Sequence, residues 1–226
     1  MAAMALLLSA CTPFPLVKRI AESRPGCVYY ARTPSKVVAL TLDDGPDGKT
    51  TPLILDVLRK HGARATFFLI SSRVHGKDPV VVRVVGEGHE IGNHMTRDEP
   101  SIRLSRQKFE RSLVEADSVL KRFAVLRWMR PASGWYNAEM ISTAQRHGYR
   151  CALGSVYPFD PAIPVAAWSS RVILRQIRPG AIIILHDGGR RGRNTADVLR
   201  RVLPELKRRG YRVVTLSELM ATAAPR

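Results

Sequence analysis

Val37-Val38-Ala39-Leu40-Thr41-Leu42-Asp43-Asp44-Gly45-Pro46-Asp47 is the stretch on which the reading of this chain turns. From Val37 to Leu42 the only polar side chain is Thr41, and the run stops at two adjacent carboxylates and a Gly-Pro turn. A short, near-continuous apolar run of this kind suits a strand covered on both faces. Side chains alternate along extended backbone, so Asp43 and Asp44 are expected to point in different directions from the strand's C-terminal end. Neighbouring carboxylates repel, and each raises the other's pKa. A cation lying against one of them removes the conflict and leaves the other free to act as a base. A solvated Asp-Gly-Pro turn is the plainer account of the same residues.

Outward from this segment, short apolar runs alternate with longer amphipathic ones. Strands are expected at Val37–Leu42, Ala65–Ile70, His89–Asn93, Arg127–Met129, Cys151–Val156, Ala181–Leu185 and Tyr211–Thr215. Helices are expected at Thr50–His61, Asp78–Gly86, from Ser105 to about Phe123, from Asn137 to His147, at about Ser169–Ile177 and at about Thr195–Arg209. Ser105 and Asn137 are natural N-caps, and Gly62, Gly148 and Gly210 follow helix ends. About seven β-then-α units predict an α/β domain over residues 36–226, with parallel strands in a closed or nearly closed barrel. Residues 1–35, with Pro13, Pro15, Pro25 and Pro34, read as a leader and linker that contributes little core. In such barrels the loops leaving the strand C-termini form the active face.

A length of 226 residues suits one domain with a full core, and the formal net charge is +17. From Arg171 to Arg226 there are 13 Lys and Arg against 4 Asp and Glu. Such a field favours anionic envelope polymers or lipid headgroups. No nucleic-acid motif accompanies the charge, and no aromatic stacking residues lie among the basic runs, so nucleic acid is not expected as a partner. Cys11, Cys27 and Cys151 have no metal-type spacing. The apolar start ending in Leu8-Ser9-Ala10-Cys11 is similar to a bacterial lipoprotein signal with Cys11 as the lipidated residue. It places the protein at the cell envelope or outside the cell, with the cytoplasm as the alternative.

A second motif, Gly88-His89-Glu90-Ile91-Gly92-Asn93-His94-Met95-Thr96-Arg97-Asp98, sets His94 and Asp98 four residues apart, on one face if the segment is helical. An imidazole with carboxylates suits a divalent transition metal, zinc first. Taken together with Thr41-Leu42-Asp43-Asp44-Gly45-Pro46, this motif resembles the polysaccharide deacetylases of carbohydrate esterase family four, the NodB-homology domain. The resemblance continues through Arg130-Pro131-Ala132-Ser133-Gly134, Asp160 and Ile184-Leu185-His186-Asp187, and spans about residues 36–220 in the family's order.

The resemblance implies a distorted (β/α) barrel of about seven parallel strands and a metal-dependent hydrolase removing acetyl groups from a glycan. It implies that Asp43 is the catalytic base and that Asp44 and His94 hold the metal. It further implies that His186 is the general acid, that Asp160 pairs with it and that Arg130 orients Asp43. A backbone N–H near Ser133 is the expected oxyanion donor, and Ile184 and Leu185 are expected to line the acetyl pocket. Trp135 and Tyr136 are the expected sugar contacts.

Three departures stand out. Asp98 replaces the family's usual second metal-binding histidine, which gives a harder ligand set and admits cobalt, manganese or iron beside zinc. The alternative is a less direct role, in which Asp98 supports a ligand without touching the metal, because Arg97 and Glu99 flank it. Pro161 follows Asp160 where a tryptophan is common, so Trp135, Tyr136, Tyr157, Phe159 and Trp168 are candidates to rebuild the aromatic wall. Finally, Ala132-Ser133 stands where Pro-Tyr is common. The expected substrate is an acetylated cell-wall or related glycan, attacked at an N-acetyl amide more readily than at an O-acetyl ester. The competing reading is a catalytically impaired envelope protein that binds glycan on the same fold.

Overall fold

The computed structural model describes residues 14–23 and 26–223. The candidate lipidated residue, Cys11, lies outside them. The elements run α1 (Phe14–Ser23), β1 (Cys27–Val28), β2 (Val37–Asp43), α2 (Thr50–Lys60), β3 (Thr66–Leu69), α3 (Asp78–Gly86), β4 (Glu90–Asn93) and α4 (Arg106–Leu120). They continue with β5 (Trp128–Met129), α5 (Ala138–Arg146), β6 (Arg150–Ala152), α6 (Ala166–Gln176), β7 (Ile182–His186), α7 (Gly189–Arg208), β8 (Arg212–Val214) and α8 (Leu216–Ala221). All seven expected strands are present.

The strands form one parallel sheet in the order β1-β6-β5-β4-β3-β2-β7, with β8 pairing the N-terminal half of β2. Beyond β6, Val156 forms a parallel bridge to Ile183 of β7, curling the sheet toward closure. The result is a distorted (β/α) barrel. Every residue of β2 is buried, as its apolar run requires. The main core packs β2, β3 and β7 against α2, α3 and α7 through Leu42, Ile54, Leu58, Phe67, Leu185, Leu199 and Leu203. Burying each such side chain stabilises the fold by about 1.5–3 kcal/mol before chain entropy is set against it.

The helix ends follow local chemistry. Ser105 and Asn137 cap α4 and α5 by accepting from Lys108 N and Met140 N. Thr215 and Glu218 form a capping box on α8. The helix α7 begins six residues before the expected Thr195. Gly188-Gly189 reads locally as a loop, but the Asp47 carboxylate accepts from Gly189 N at 3.2 Å and so caps the first turn from a distant loop. Gly192 is obligatory there, because a Cβ would lie 2.4 Å from Thr50 Oγ1 and 2.7 Å from Asp187 Oδ1.

The expectation that residues 1–35 add little core is corrected. Val17, Cys27, Tyr29 and Ala31 are buried, and Phe14 and Ile20 pack on the same cluster. Phe14, Val17 and Ile20 recur every three residues, a helical face hidden among prolines. The two-residue β1 is too short to announce itself by alternation.

Candidate active site

The strand β2 delivers Asp43 at its C-terminal end, in register with His186 at the end of β7. His94 follows β4, Arg130 follows β5 and Asp160 lies in the loop after β6. All five therefore gather at the C-terminal mouth of the barrel, as the strand-end rule requires. They surround a cavity of about 470 Å³ lined by Asp43, Asp44, His94, Asp98, Arg130, Ser133, Trp135, Tyr136, Tyr157, Phe159, Ile184, His186 and Arg191.

Strict alternation would send Asp44 away from Asp43. Instead Asp44 adopts φ +74°, in the left-handed region, and both carboxylates face the cavity. Four non-glycine residues among those described have positive φ: Asp44, Met95, Ser133 and Phe159. Asp44 and Ser133 line the cavity themselves, Met95 follows His94, and Phe159 precedes Asp160. Backbone strain is thus concentrated around the cavity, a pattern associated with function.

Arg130 is buried and fully engaged. Its Nη1 donates to Asp43 Oδ1 at 2.6 Å and to Thr41 Oγ1 at 2.9 Å. Its Nε and Nη2 donate to Ala152 O and Leu153 O at 2.9 and 3.2 Å. Its guanidinium stacks 4.1 Å from the Phe68 ring centroid. Thr41 and Asp43 share a strand face, which is why one guanidinium reaches both. The Asp43 carboxylate is held in one place while its second oxygen accepts no hydrogen bond from Arg130.

His94 Nδ1 lies 2.8 Å from Arg130 O and must donate to it, while Nε2 lies 3.5 Å from Asp44 Oδ1, donating toward it when the ring is protonated and offering a lone pair when it is neutral. Burial opposes protonation of His94, but the charges of Asp43 and Asp44 outweigh it and raise its pKa. Burial would raise the Asp44 pKa, yet the His94 hydrogen bond and the charges of His94, His186 and Arg73 hold it well below the usual carboxylate range.

On the strand beside Asp43, His186 Nδ1 lies 3.0 and 3.1 Å from the two oxygens of Asp160, which also accepts from His186 N. Burial pushes the imidazole's pKa down. The Asp160 charge and hydrogen bond, with smaller contributions from Asp43 and Asp44, overcome this and bring it to about 9. Its neighbour Asp187 turns away to accept from Thr50 Oγ1, Thr51 Oγ1 and Gly188 N, tying the end of β7 to α2.

The expected three-ligand set of Asp44, His94 and Asp98 is not assembled. Met95 at φ +67° ends any helical path after His94, so the i, i+4 face does not exist. Asp98 is half exposed and paired with Arg73 Nη2 at 3.1 Å. Among the described residues no three His, Cys, Asp or Glu side chains form a group that could hold a metal ion. Asp44 and His94 are an oxygen–nitrogen donor pair of the kind a divalent transition metal accepts, short of a complete set.

Two arginines close on this pair. Arg191 Nη1 donates to Asp44 Oδ2 at 2.9 Å, and Arg73 Nη1 donates to Asp44 O at 2.5 Å. Both escaped sequence reasoning, although each follows a strand end by a few residues. Thr41 was masked by its apolar run.

The substrate side is mixed. Trp135, Tyr136, Tyr157 and Phe159 line the cavity, whereas Trp168 sits on α6 and is not among the lining residues. Tyr29, from the supposed linker, joins this wall and bonds Tyr136 through the two hydroxyls at 2.8 Å. Leu185 is also corrected. Alternation along β7 turns Ile184 and His186 to the cavity and buries Leu185 in the barrel–helix core.

Comparison with known proteins places the chain by family and fold. The polysaccharide deacetylase family matches residues 30–152. A peptidoglycan-N-acetylglucosamine deacetylase of Bacillus cereus is 38% identical over 82% of this chain and 88% of its own length. A CE4 family pseudoenzyme from Bacillus anthracis superposes with a TM-score of 0.81 at 25% identity, covering 89% of this chain and 71% of the other. A family 4 acetyl xylan esterase from Clostridium thermocellum, in complex with a cobalt ion, superposes with a TM-score of 0.77 at 31% identity, covering 82% and 91%.

Proposed function

The chain belongs to the polysaccharide deacetylase family, and we propose that it is an N-deacetylase that hydrolyses acetyl groups from an envelope glycan. The peptidoglycan specificity of the Bacillus cereus relative supports a substrate of N-acetylated amino sugars. The observation that carries the reading is the pairing of Asp43 with His186, side by side on neighbouring strands at the cavity, one braced by Arg130 and the other by Asp160.

Asp44 and His94 would hold a divalent cation, zinc first, then cobalt, manganese or iron. Such a cation supplies Lewis acidity at the acetyl carbonyl and makes an attacking water more acidic. Asp43, fixed by Arg130, accepts the proton of that water as it adds to the carbonyl carbon. Ala132 N and Gly134 N already donate to Ser101 Oγ and Pro131 O, so the N–H of Ser133 itself would be the donor to the oxygen on which charge develops. His186, protonated near neutrality, gives its proton to the departing sugar nitrogen, and the C–N bond breaks to yield acetate and the free amine. Ile184 provides apolar surface for the acetyl methyl. Tyr29, Trp135, Tyr136, Tyr157 and Phe159 offer the faces against which a sugar ring stacks.

The test is acetate release from N-acetylglucosamine oligomers and from peptidoglycan fragments, before chelation, after it and after metal add-back. Release that stops on chelation and returns with metal supports the assignment. Release indifferent to chelators overturns it.

The competing reading is a catalytically impaired glycan binder. Arg191 on Asp44 and the displacement of Asp98 favour it. Saturable glycan binding with no acetate release under any metal would establish it instead.

The absence of a long apolar helix among the described residues agrees with a protein that does not cross the bilayer by a helix of that region. The strongly basic C-terminal third would hold it near anionic envelope polymers or lipid headgroups.

A further inference from the structure

Cys27 and Cys151 are far apart in sequence and directly opposed in space. The strands β1 and β6 are parallel neighbours, and their register pairs Cys27 with Cys151 and Val28 with Ala152. Paired positions on adjacent strands place both side chains on the same sheet face. The two Sγ atoms lie 2.8 Å apart and both residues are buried. Two sulfurs that are not bonded rest about 3.6 Å apart at van der Waals contact, so this spacing leaves under an ångström to a bond of about 2.05 Å. A spacing of adjacent strands near 4.8 Å falls within the Cα separation that a disulfide spans.

The place that such a bond would occupy matters. The edge strand β1 has two residues and pairs β6 alone; around that ladder Leu153 N donates to Val28 O, Ala31 N donates to Gly180 O, and Tyr30 bridges Ala181. Two residues beyond Cys27, Tyr29 reaches the cavity wall and bonds Tyr136. Immediately after Cys151, the carbonyls of Ala152 and Leu153 seat the Arg130 guanidinium.

We propose that Cys27 and Cys151 form a disulfide during maturation, fastening β1 to the barrel and fixing the Tyr29 side of the cavity. Two thiols are oxidised, losing two protons and two electrons. The electrons reduce a small-molecule or protein disulfide to two thiols, and one S–S bond forms between Cys27 and Cys151. Burial pushes the Cys27 thiol well above its usual pKa. Exchange in the docked state is slow for that reason, because the thiolate is the nucleophile. The bond therefore forms before β1 docks and is shielded from reductants afterwards.

The experiment refolds the full-length chain with excess oxidised glutathione or with a reductant, then maps tryptic peptides without reduction and measures thermal melting. The expected product is a linked pair of peptides containing Cys27 and Cys151, with Tm higher than the reduced protein by roughly 5–15 °C. The Cys27→Ala/Cys151→Ala double variant should melt at the same temperature in both conditions. Recovery of both thiols free in the oxidised sample overturns the proposal. So does linkage of either one to Cys11, and so does a Cys27–Cys151 bond that leaves Tm unchanged.

Discussion

Asp43 and His186 are partners in the β2–β7 ladder, so the barrel's hydrogen-bond register itself sets a carboxylate and an imidazole on adjacent strands at the cavity floor. Asp187 N donates to Asp43 O at 2.7 Å directly beside them and locks that register. The two groups have opposed tasks and opposed braces. Arg130 fixes the Asp43 carboxylate in place through a 2.6 Å ion pair, and Asp160 favours the charged form of His186. The first is a matter of position and the second of protonation, and the proposed hydrolysis needs both.

Replacing Asp43 with Asn removes the proposed base while preserving its shape. Turnover should fall by about two to four powers of ten. Metal content should stay close to that of the parent protein, because Asp44 and His94 are untouched. Normal acetate release from Asp43→Asn would remove Asp43 from the reaction.

The His186 pKa of about 9 lies above its ordinary 6.5, so protonation stabilises the folded state. That contribution is complete below pH 6.5 and is lost as pH rises through 9. Urea midpoints of the metal-free protein should therefore drop across this window, and His186→Gln should flatten the drop. In turnover the same titration removes the proton donor, giving an alkaline limb. A bound cation opposes the imidazolium and moves that limb below the metal-free value. Asp160→Asn should move it lower again, by about 1–2 pH units. A limb that ignores Asp160 would mean that another group is titrating.

Arg191 occupies Asp44 Oδ2 with a guanidinium, and a bound cation must compete with it. Because Arg191 is substantially exposed, the contact is worth about 1–2 kcal/mol, and Arg191→Ala should tighten metal binding about 5–30-fold. Competition titration against a chromophoric chelator measures this without reference to activity. Unchanged or weaker affinity would show that Arg191 does not compete.

Asp98 offers the clearest test of the coordination set. Paired with Arg73 and half exposed, it should change metal affinity by about tenfold or less when replaced by Ala. A loss of about a thousandfold or more would place Asp98 among the ligands and require Arg73 to release it.

Arg130→Met keeps bulk but leaves Asp43 buried without its ion pair. Removing one partner of a buried pair costs about 3–5 kcal/mol, and Asp43→Asn in the same chain should restore much of it. Urea denaturation of the two single variants and the double variant reads the coupling. Simple additivity would mean that the pair contributes nothing specific.

Much of the architecture was legible because long-range packing and local pattern agree over most of the chain. The strands from Val37 to Val214 are short apolar runs, and the helices α2 to α5 carry caps or glycine stops that local chemistry dictates. Legibility failed where an element was short or its partner remote. The strand β1 is two residues long, and α7 takes its first-turn cap from Asp47, more than a hundred residues earlier. Leu185 was misplaced because a resemblance names a segment, whereas alternation decides which of its side chains face inward.

For the site, the residues themselves nominated Asp43, Asp44 and His94, as polar groups closing apolar runs, and the resemblance to the polysaccharide deacetylases added Arg130, Asp160 and His186. Who touches whom was decided only by the fold. The left-handed turns at Asp44 and Met95 bring one carboxylate into the cavity and send Asp98 to Arg73. Arg191, Tyr29 and the Cys27–Cys151 pair reach their places through strand and helix packing across long stretches of chain. Backbone conformation at single residues and contact between distant segments are free-energy minima of the whole molecule, and no local window of sequence contains them.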